Sequence, residues 1–597
     1  MKMVTVSRTW LALLAVILFT LVGGVGAAMA EEARFNPDSE IGPSLEVDAD
    51  VPNSRSAAHV PASHVPRPAS SRTDGPGAPS FRGLNFADER LADEGRQFSA
   101  EPPDQALCIG DGDYVLEAVN TAFAFYQGSA RVSGVMAFNP FFTKDHEVVR
   151  STPPVIGTFI SDPKCYFDPA LHRFFFTVLS AATDPATGNF TGPTHVEVAV
   201  SKTARPGTSR SDWYFFRINT TNGGTPDATD PFLTSNPGCP CLGDQPLIGA
   251  DRYGFYVSTN EFTDVTGQLA NAAFNGAVIY AMDKASLAGG RMHNLTLAAN
   301  RPALAEGPGY SIQPATSPTA ADWQPANSGT EYLMSALDFD GTLDNRIAVW
   351  GLTNTKSLTT IPALRLTKSV LSSEVYGQPP AVEQKTGPTP LADALPTLLE
   401  KSGKGPREHE NLIASNDDRM QQAVYVRPSG GAGFLASGLT TVVKTENGPT
   451  HAGIAWFVVQ PTTAVPIGGT ITRQGYTAVN QNNVIFPAIG LNHRGQGGMV
   501  FTLVGRNSYP SAAFTRFTVA SGAAPLVYIP RAGQVPADGF SGYRPFGGNG
   551  VERWGDYSAA VAGPDGTIWM ATEYIEGDVS YPPFLANWDT RIIRYNP

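Results

Sequence analysis

Two stretches of the chain repeat one layout of acidic residues. Asp244 precedes Gly254 by ten residues and Glu261 by seventeen, and Asp556 precedes Gly566 and Glu573 by the same two spacings. Each copy is an acidic start, a β-rich run, a glycine turn, a second β-rich run and an acidic end. Two looser copies exist: Asp162 opens SDPKCYFDPALHRFFFTVLS, and Asn416-Asp417-Asp418 precedes MQQAVYVRPSGGAGFLASG. If such strands stand around an axis, their first residues converge at one end of it. Asp162, Asp244, Asp417 and Asp556 are therefore the candidate catalytic residues, with Glu261 and Glu573 beside them. A ring of carboxylates supplies the acid and base, or the nucleophile, of a glycosidase, and it could equally hold a cation. An acidic side chain before a strand also accepts hydrogen bonds from free backbone N–H groups and fixes a turn. Repetition in every copy favours that architectural role, so chemistry is expected where a copy departs from the pattern.

Three places depart. KGPREHEN, Lys404 to Asn411, interrupts a charge-poor chain and brings His409 near Asp417, as a general base or metal ligand. Asn492-His493-Arg494 is inserted where the matching hairpin PLIGAD has nothing. Arg553 and Trp554 precede Asp556, and aromatic and guanidinium groups at such a position suit sugar stacking. Trp554, Arg553, His409, His493 and Arg494 are thus candidate binding residues, although each of these stretches also reads as a solvated loop.

Other motifs carry less. Asp338-Phe339-Asp340-Gly341-Thr342-Leu343 resembles the nucleophile loop of haloacid-dehalogenase-type phosphatases, but that fold alternates strands with helices and this chain runs strand after strand. The same stretch reads as a hairpin tip with an Asp-Gly turn. Asp338, Asp340 and Asp344 at alternate positions could also hold calcium, the one cofactor the sequence suggests, although the plain turn is the better reading. Gly539 to Tyr543 resembles a nucleophile elbow without its final glycine, and GPDGTIW falls one residue short of the sialidase Asp-box. HExxH and Walker motifs are absent.

Short β-branched and aromatic runs recur between turn signals, among them Tyr114 to Phe125, His195 to Val200, Ala277 to Met282, Met499 to Val504 and Arg591 to Tyr595. Only Pro390 to Leu399 reads as a helix. This pattern predicts an all-β fold, a β-propeller of seven blades with six as the alternative. The last strand, Ile592 to Tyr595, is expected to share a blade with Tyr114 to Phe125 and close the ring. CIGDGDYVLEAVNTAFAFYQ, SDPKCYFD, CLGDQPLIGADRYGFYVSTNEF and RWGDYSAAV together resemble a group of uncharacterised exported bacterial proteins predicted to be β-propellers. The resemblance supports the fold and implies no chemistry.

The domain organisation follows from composition. Residues 1–30 read as a signal peptide, with Lys2 and Arg8, the apolar stretch Trp10 to Val22 and the small-residue site Ala28-Met29-Ala30. Residues 31–105 read as a disordered Pro/Ser/Ala-rich spacer, and 106–597 as the propeller. The formal charge is -12, and loss of Lys2 and Arg8 makes it more negative still. That excludes nucleic acid and anionic membrane surfaces as partners. Four cysteines in an exported chain predict disulfides, with Cys239 and Cys241 each reaching back to Cys108 or Cys165, since joining them to each other closes a very small ring. The expected function is a secreted or periplasmic monomeric scaffold that binds a glycan or a protein, with a polysaccharide-degrading hydrolase or lyase as the alternative and no stable membrane insertion.

Overall fold

The computed structural model describes residues 70–72, 78–224, 236–263, 272–305, 307–337, 343–391, 410–444, 450–543, 548–577 and 587–597. Among them are seven four-stranded antiparallel ladders. The second, for example, runs Phe159–Asp168, Arg173–Thr183, Phe190–Ser201 and Trp213–Asn219, and the third Cys241–Ala250, Gly254–Thr263, Phe274–Asp283 and Thr296–Asn300. The first strand of each ladder faces a narrow axial cavity of about 80 Å³, lined in turn by Leu107, Lys164, Ile248, Thr316, Val424, Leu491 and Ala560. The chain is an all-β propeller.

Packing between neighbouring ladders closes the ring. Aromatic side chains of the first ladder (Phe123, Phe125) pack on those of the second (Phe174, Phe176) in one buried cluster. Phe175 and Val198 of the second meet Phe255 and Tyr280 of the third in another. The series continues around the ring to a cluster in which Val115 and Tyr126 of the first ladder meet Trp569 and Ile592 of the seventh. Each ladder is therefore apolar on both faces, which is why the inner strands read as near-continuous hydrophobic runs and not as strict alternation.

Closure differs from the sequence expectation. The strand Asp589–Tyr595 pairs on one side with Ile568–Tyr574 and on the other with Ser80–Asn85. Ser80–Asn85 lies inside the stretch 31–105 expected to be spacer, and its register places Phe81 opposite Ile592. Tyr114 to Phe125, expected to close the ring, is instead two strands of the first ladder, Tyr114–Val119 and Ala122–Gln127, turned at Asn120 and Thr121. The spacer therefore ends earlier than composition indicates, because Phe81, Leu84 and Phe86 are few among polar neighbours. They suffice to dock one edge strand because Glu117 receives them: its carboxylate accepts the Leu84 N–H at 2.9 Å and the Tyr126 hydroxyl at 2.8 Å. Residues 392–399 of the expected helix lie outside the described residues. No helix among the described residues is long and apolar enough to cross a membrane.

The disulfides also differ from expectation. Cys108 pairs with Cys165, joining the inner strands of the first and second ladders, with Cα atoms 5.6 Å apart. Cys239 pairs with Cys241 across Pro240, with Cα atoms 4.4 Å apart. That distance lies at the short end of the range a disulfide spans, so the small ring closes without recruiting Cys108 or Cys165.

A Cβ at Gly83 would overlap the Glu117 carboxylate and the Thr590 hydroxyl. Gly83→Val should therefore lower the midpoint of denaturant unfolding by the equivalent of about 1–3 kcal/mol through overpacking of the closing strand. Gly134→Ala, where the added methyl meets open space, should stay within about 0.5 kcal/mol.

Candidate functional site

A residue at positive φ stands before, or within the first half of, each of the seven inner strands: Asp104 (φ 46°), Asp162 (58°), Gln245 (48°), Ser311 (40°), Asn416 (56°), Phe486 (54°) and Gly555 (120°). In three ladders it is followed by proline and sits in a bulge, as shown by register shifts between Ser161 and Lys164, Asp244 and Leu247, and Ile485 and Ala488. A bulge re-aims the side chains beside it. The residue matching Asp162 is thus Gln245, and Asp244 matches Ser161, one position off the correspondence drawn from spacing. Pro246 and Pro487 occupy the same place in their bulges, so PLIGAD corresponds to the stretch Pro487 to Asn492.

The kinks bring a polar cluster together at one mouth of the axial cavity. Asp104 accepts the Asp556 N–H at 2.7 Å through Oδ1 and the Asn120 amide at 2.8 Å through Oδ2. The Ser161 hydroxyl lies 2.7 Å from Asn120 Oδ1 and 3.0 Å from Asp162 Oδ1. It has one hydrogen for two acceptors, so a proton on Asp162 completes the set. Asp556 Oδ1 accepts from Asn416 at 3.3 Å and from Arg553 at 3.4 Å. Arg419 grips Asp417 with two bonds, 2.7 and 2.8 Å, and donates to Gln245 at 2.9 Å. Tyr310 donates its hydroxyl to Asp417. The Lys164 ammonium stands over the Tyr557 ring.

Burial and mutual repulsion set the protonation of this cluster. Burial, then the charges of Asp244 and Asp556, push Asp162 up to about 7. Burial, then Asp556, push Asp244 up to about 7 against the opposing Arg419 and Arg553. Asp104 is pushed well above the carboxylate range by burial and by Asp556 and Asp162. Burial also lowers the Lys164 ammonium well below its ordinary value, although three of these aspartates oppose it. Asp417 goes the other way: burial would raise it, but the charge and hydrogen bonds of Arg419 outweigh burial and hold it below the usual range. Carboxyls that keep a proton near neutrality thus stand beside one that its Arg419 ion pair keeps ionised.

Of the residues singled out in the sequence, Asp162, Asp244 and Asp556 meet here, and Asp417 joins them through Arg419 and Asn416. Glu573 is buried near Gly555, and Glu261 sits one residue from Asn260, the partner of Asp244. Arg553 reaches Asp556, but Trp554 is buried and donates its indole N–H to Thr502 at 3.2 Å, so it offers no face to a sugar. His493 and Arg494 lie in the turn after Asn482–Leu491, at the opposite end of the strands, where His493 bonds Asp322 at 2.9 Å. His409, Asp338 and Asp340 lie outside the described residues, and the Asp344 carboxylate is bonded by Arg346 at 2.7 and 3.0 Å. Ser541 of the elbow-like stretch is held in a turn, its N–H donating to Glu101 and its hydroxyl oxygen accepting the Arg553 N–H. Among the described residues one set of three candidate ligand groups lies within 4.8 Å, namely Cys239, Cys241 and Glu261. Its two cysteines are bonded to each other. Sequence reasoning missed Asp104, assigned to the spacer, and Asn120, Lys164 and Arg419. The signals present were the Asp-Pro and Gln-Pro dipeptides that mark the bulges, and the cations two residues from Asp162 and Asp417.

No family model and no curated protein matches the chain. Solved structures similar to it include an α-L-arabinofuranosidase from Fusarium graminearum in complex with an iminosugar inhibitor, 10% identical over 86% of this chain and 97% of that one, with a TM-score of 0.30. Another is a protein of unknown function from Dyadobacter fermentans, 11% identical over 73% and 95%, TM-score 0.29. A third is an α-L-arabinofuranosidase from Lactobacillus brevis, 12% identical over 60% and 90%, TM-score 0.28. At such values the likeness carries no argument about this chain, and the propeller rests on its own strand pairing.

The raised carboxyls fix the sign of a pH effect. A carboxyl whose pKa is higher folded than unfolded stabilises the fold at low pH, and that stability is lost as pH rises through the folded value. The chain should melt higher near pH 5 than near pH 8, because Asp162 and Asp244 titrate at about 7 and Glu261 at about 8. The double variant Asp162→Asn, Asp244→Asn should flatten part of that slope in thermal melts followed by circular dichroism.

Proposed function

We propose that this chain is an exported glycan-degrading hydrolase whose site is the carboxylate cluster at the axial mouth. The observation that carries this reading is the convergence of Asp104, Asp162 and Asp556, joined through Asn120 and Ser161, at the axial mouth. Asp162 and Asp244 are the candidate proton donors, because each holds its proton up to about pH 7. Asp556 is the candidate base or nucleophile, oriented by Asn416 and Arg553. Asp417 is a positioning residue, fixed by Arg419. The amides of Asn120, Asn416 and Gln245 and the hydroxyls of Tyr310 and Tyr557 surround the cluster with the uncharged hydrogen-bonding groups that suit sugar hydroxyls.

The competing reading, a binding scaffold without turnover, is favoured by one feature. Asp104 spends one oxygen on the Asp556 N–H, and Asp417 spends both on Arg419, as turn-fixing and ion-paired groups do. That leaves Asp162, Asp244 and Asp556 to decide the matter.

The test mixes the exported chain with a panel of plant, fungal and bacterial polysaccharides and follows both retention on the polymer and release of new reducing ends. Asp556→Asn should lower turnover by roughly 10²–10⁴-fold with retention and folding intact, the usual size of an acid–base or nucleophile contribution. Turnover should also fall above about pH 7, as Asp162 and Asp244 lose their protons. Retention without turnover on every polymer would leave the scaffold, and equal turnover by wild type and Asp556→Asn would remove the site from the axis.

A further inference from the structure

The Cys239–Cys241 bridge has no evident architectural task. A disulfide stabilises chiefly by shortening the loops of the unfolded chain, an effect that grows with the number of residues enclosed. Cys108–Cys165 encloses a sequence separation of 57 and ties two ladders together, whereas Cys239–Cys241 encloses a separation of 2. The backbone beside it is already held, by the Cys241 N–H to Thr221 O at 2.9 Å and the Cys239 N–H to Asn236 O at 3.0 Å.

Its surroundings are chemical. Both sulfur atoms and a carboxylate oxygen of Glu261 lie within 4.8 Å of one another. The Asn275 amide approaches both sulfurs, at 3.7 Å from Cys239 and 3.6 Å from Cys241. Glu261 is fully buried, with Oε1 accepting the Thr259 hydroxyl at 2.8 Å and Oε2 unpartnered. Cys239 is partly exposed, and Cys241 is completely buried. An incoming thiolate therefore has one sulfur to attack, and the sulfur that must leave is the one enclosed beside an acid and an amide donor.

We propose that Cys239–Cys241 is a thiol–disulfide exchange site, in which Glu261 gives a proton to the departing Cys241 sulfur and accepts one in the reverse direction. A dithiol is the co-reactant. One of its thiolates attacks Cys239 Sγ, the Cys239–Cys241 bond breaks, and a mixed disulfide forms while Cys241 leaves as a thiolate. That thiolate is stabilised by the Asn275 N–H and takes the Glu261 proton. The second thiol of the dithiol then displaces Cys239, so the dithiol is oxidised to a disulfide and the protein pair is reduced by two electrons and two protons. Burial pushes the Glu261 carboxyl up to about 8, helped by the charge of Asp244 and opposed by Thr259 and Asn222, so it carries its proton at neutrality. Beyond Asn222 the Tyr280 hydroxyl completes the ring of polar groups around it.

The experiment exposes the folded full-length chain to dithiothreitol for graded times at pH 6 to 9. It then alkylates free thiols and quantifies each cysteine peptide, with circular dichroism monitoring the fold. The expected result is labelling of Cys239 and Cys241 at least about ten times faster than Cys108 and Cys165, with the fold unchanged. Glu261→Gln should slow that labelling several-fold below about pH 8 and make no difference above it, a pH profile that a purely structural loss would not produce. Reduction of both pairs together, only as the fold melts, would overturn the proposal. So would a Glu261→Gln rate equal to wild type at every pH.

Discussion

Everything at the axial mouth depends on the residue at positive φ before, or within the first half of, each inner strand. Six of the seven residues there are not glycine, and a side chain at positive φ costs of order 1–3 kcal/mol at such a place. A backbone holds such residues only when its surroundings over-determine them. Here each inner strand is gripped on its ladder side by an antiparallel partner and on both faces by the buried clusters shared with neighbouring ladders. In three of the ladders a bulge at that residue lets the strand stay in the sheet while its first polar residues stay at the axis.

The same geometry explains the electrostatics. Seven strand heads arranged around a narrow cavity bring Asp104, Asp162, Asp244 and Asp556 from four ladders into mutual range, where like charges cannot all ionise. The cations supplied alongside, Lys164, Arg419 and Arg553, do not cancel the cluster uniformly. Arg419 is committed to Asp417, so one carboxylate is kept ionised while its neighbours hold protons. The contrast in protonation is thus a product of position in the ring more than of composition.

How much of this was legible in the sequence varies by element. Strands flanked by glycine or Asp-Gly turns could be read because both faces are apolar and the turns are chemically marked, as at Gly254 and Gly566. Asp244 and Asp556 could be found because their spacing repeats, and Asp162 because it too opens an aromatic hairpin. The correspondence between Asp162 and Asp244 was misjudged by one residue because a bulge adds a residue that spacing alone cannot place; the following proline was the better landmark. Ser80–Asn85 was hidden because an edge strand buried on few side chains has the composition of a linker. The Cys239 pairing was hidden because sequence separation argues against a small ring, while the approach of the two Cα atoms is set by the turn that precedes the third ladder.

The docking of Ser80–Asn85 against Asp589–Tyr595 also has a consequence for how the molecule comes into being. Ser80–Asn85 and its partner Asp589–Tyr595 lie at opposite ends of the ring in chain order, so the ring stands open at one seam until both have emerged. Ladders one to six can form from local hairpins as they appear, but the seventh must also recruit Ser80–Asn85 from before the first ladder. Such long-range pairing is slow to find, and until it forms two bare strand edges are exposed. A chain without Asp589–Tyr595 would therefore be left as an unclosed and adhesive arc, with nearly all of its ladders intact.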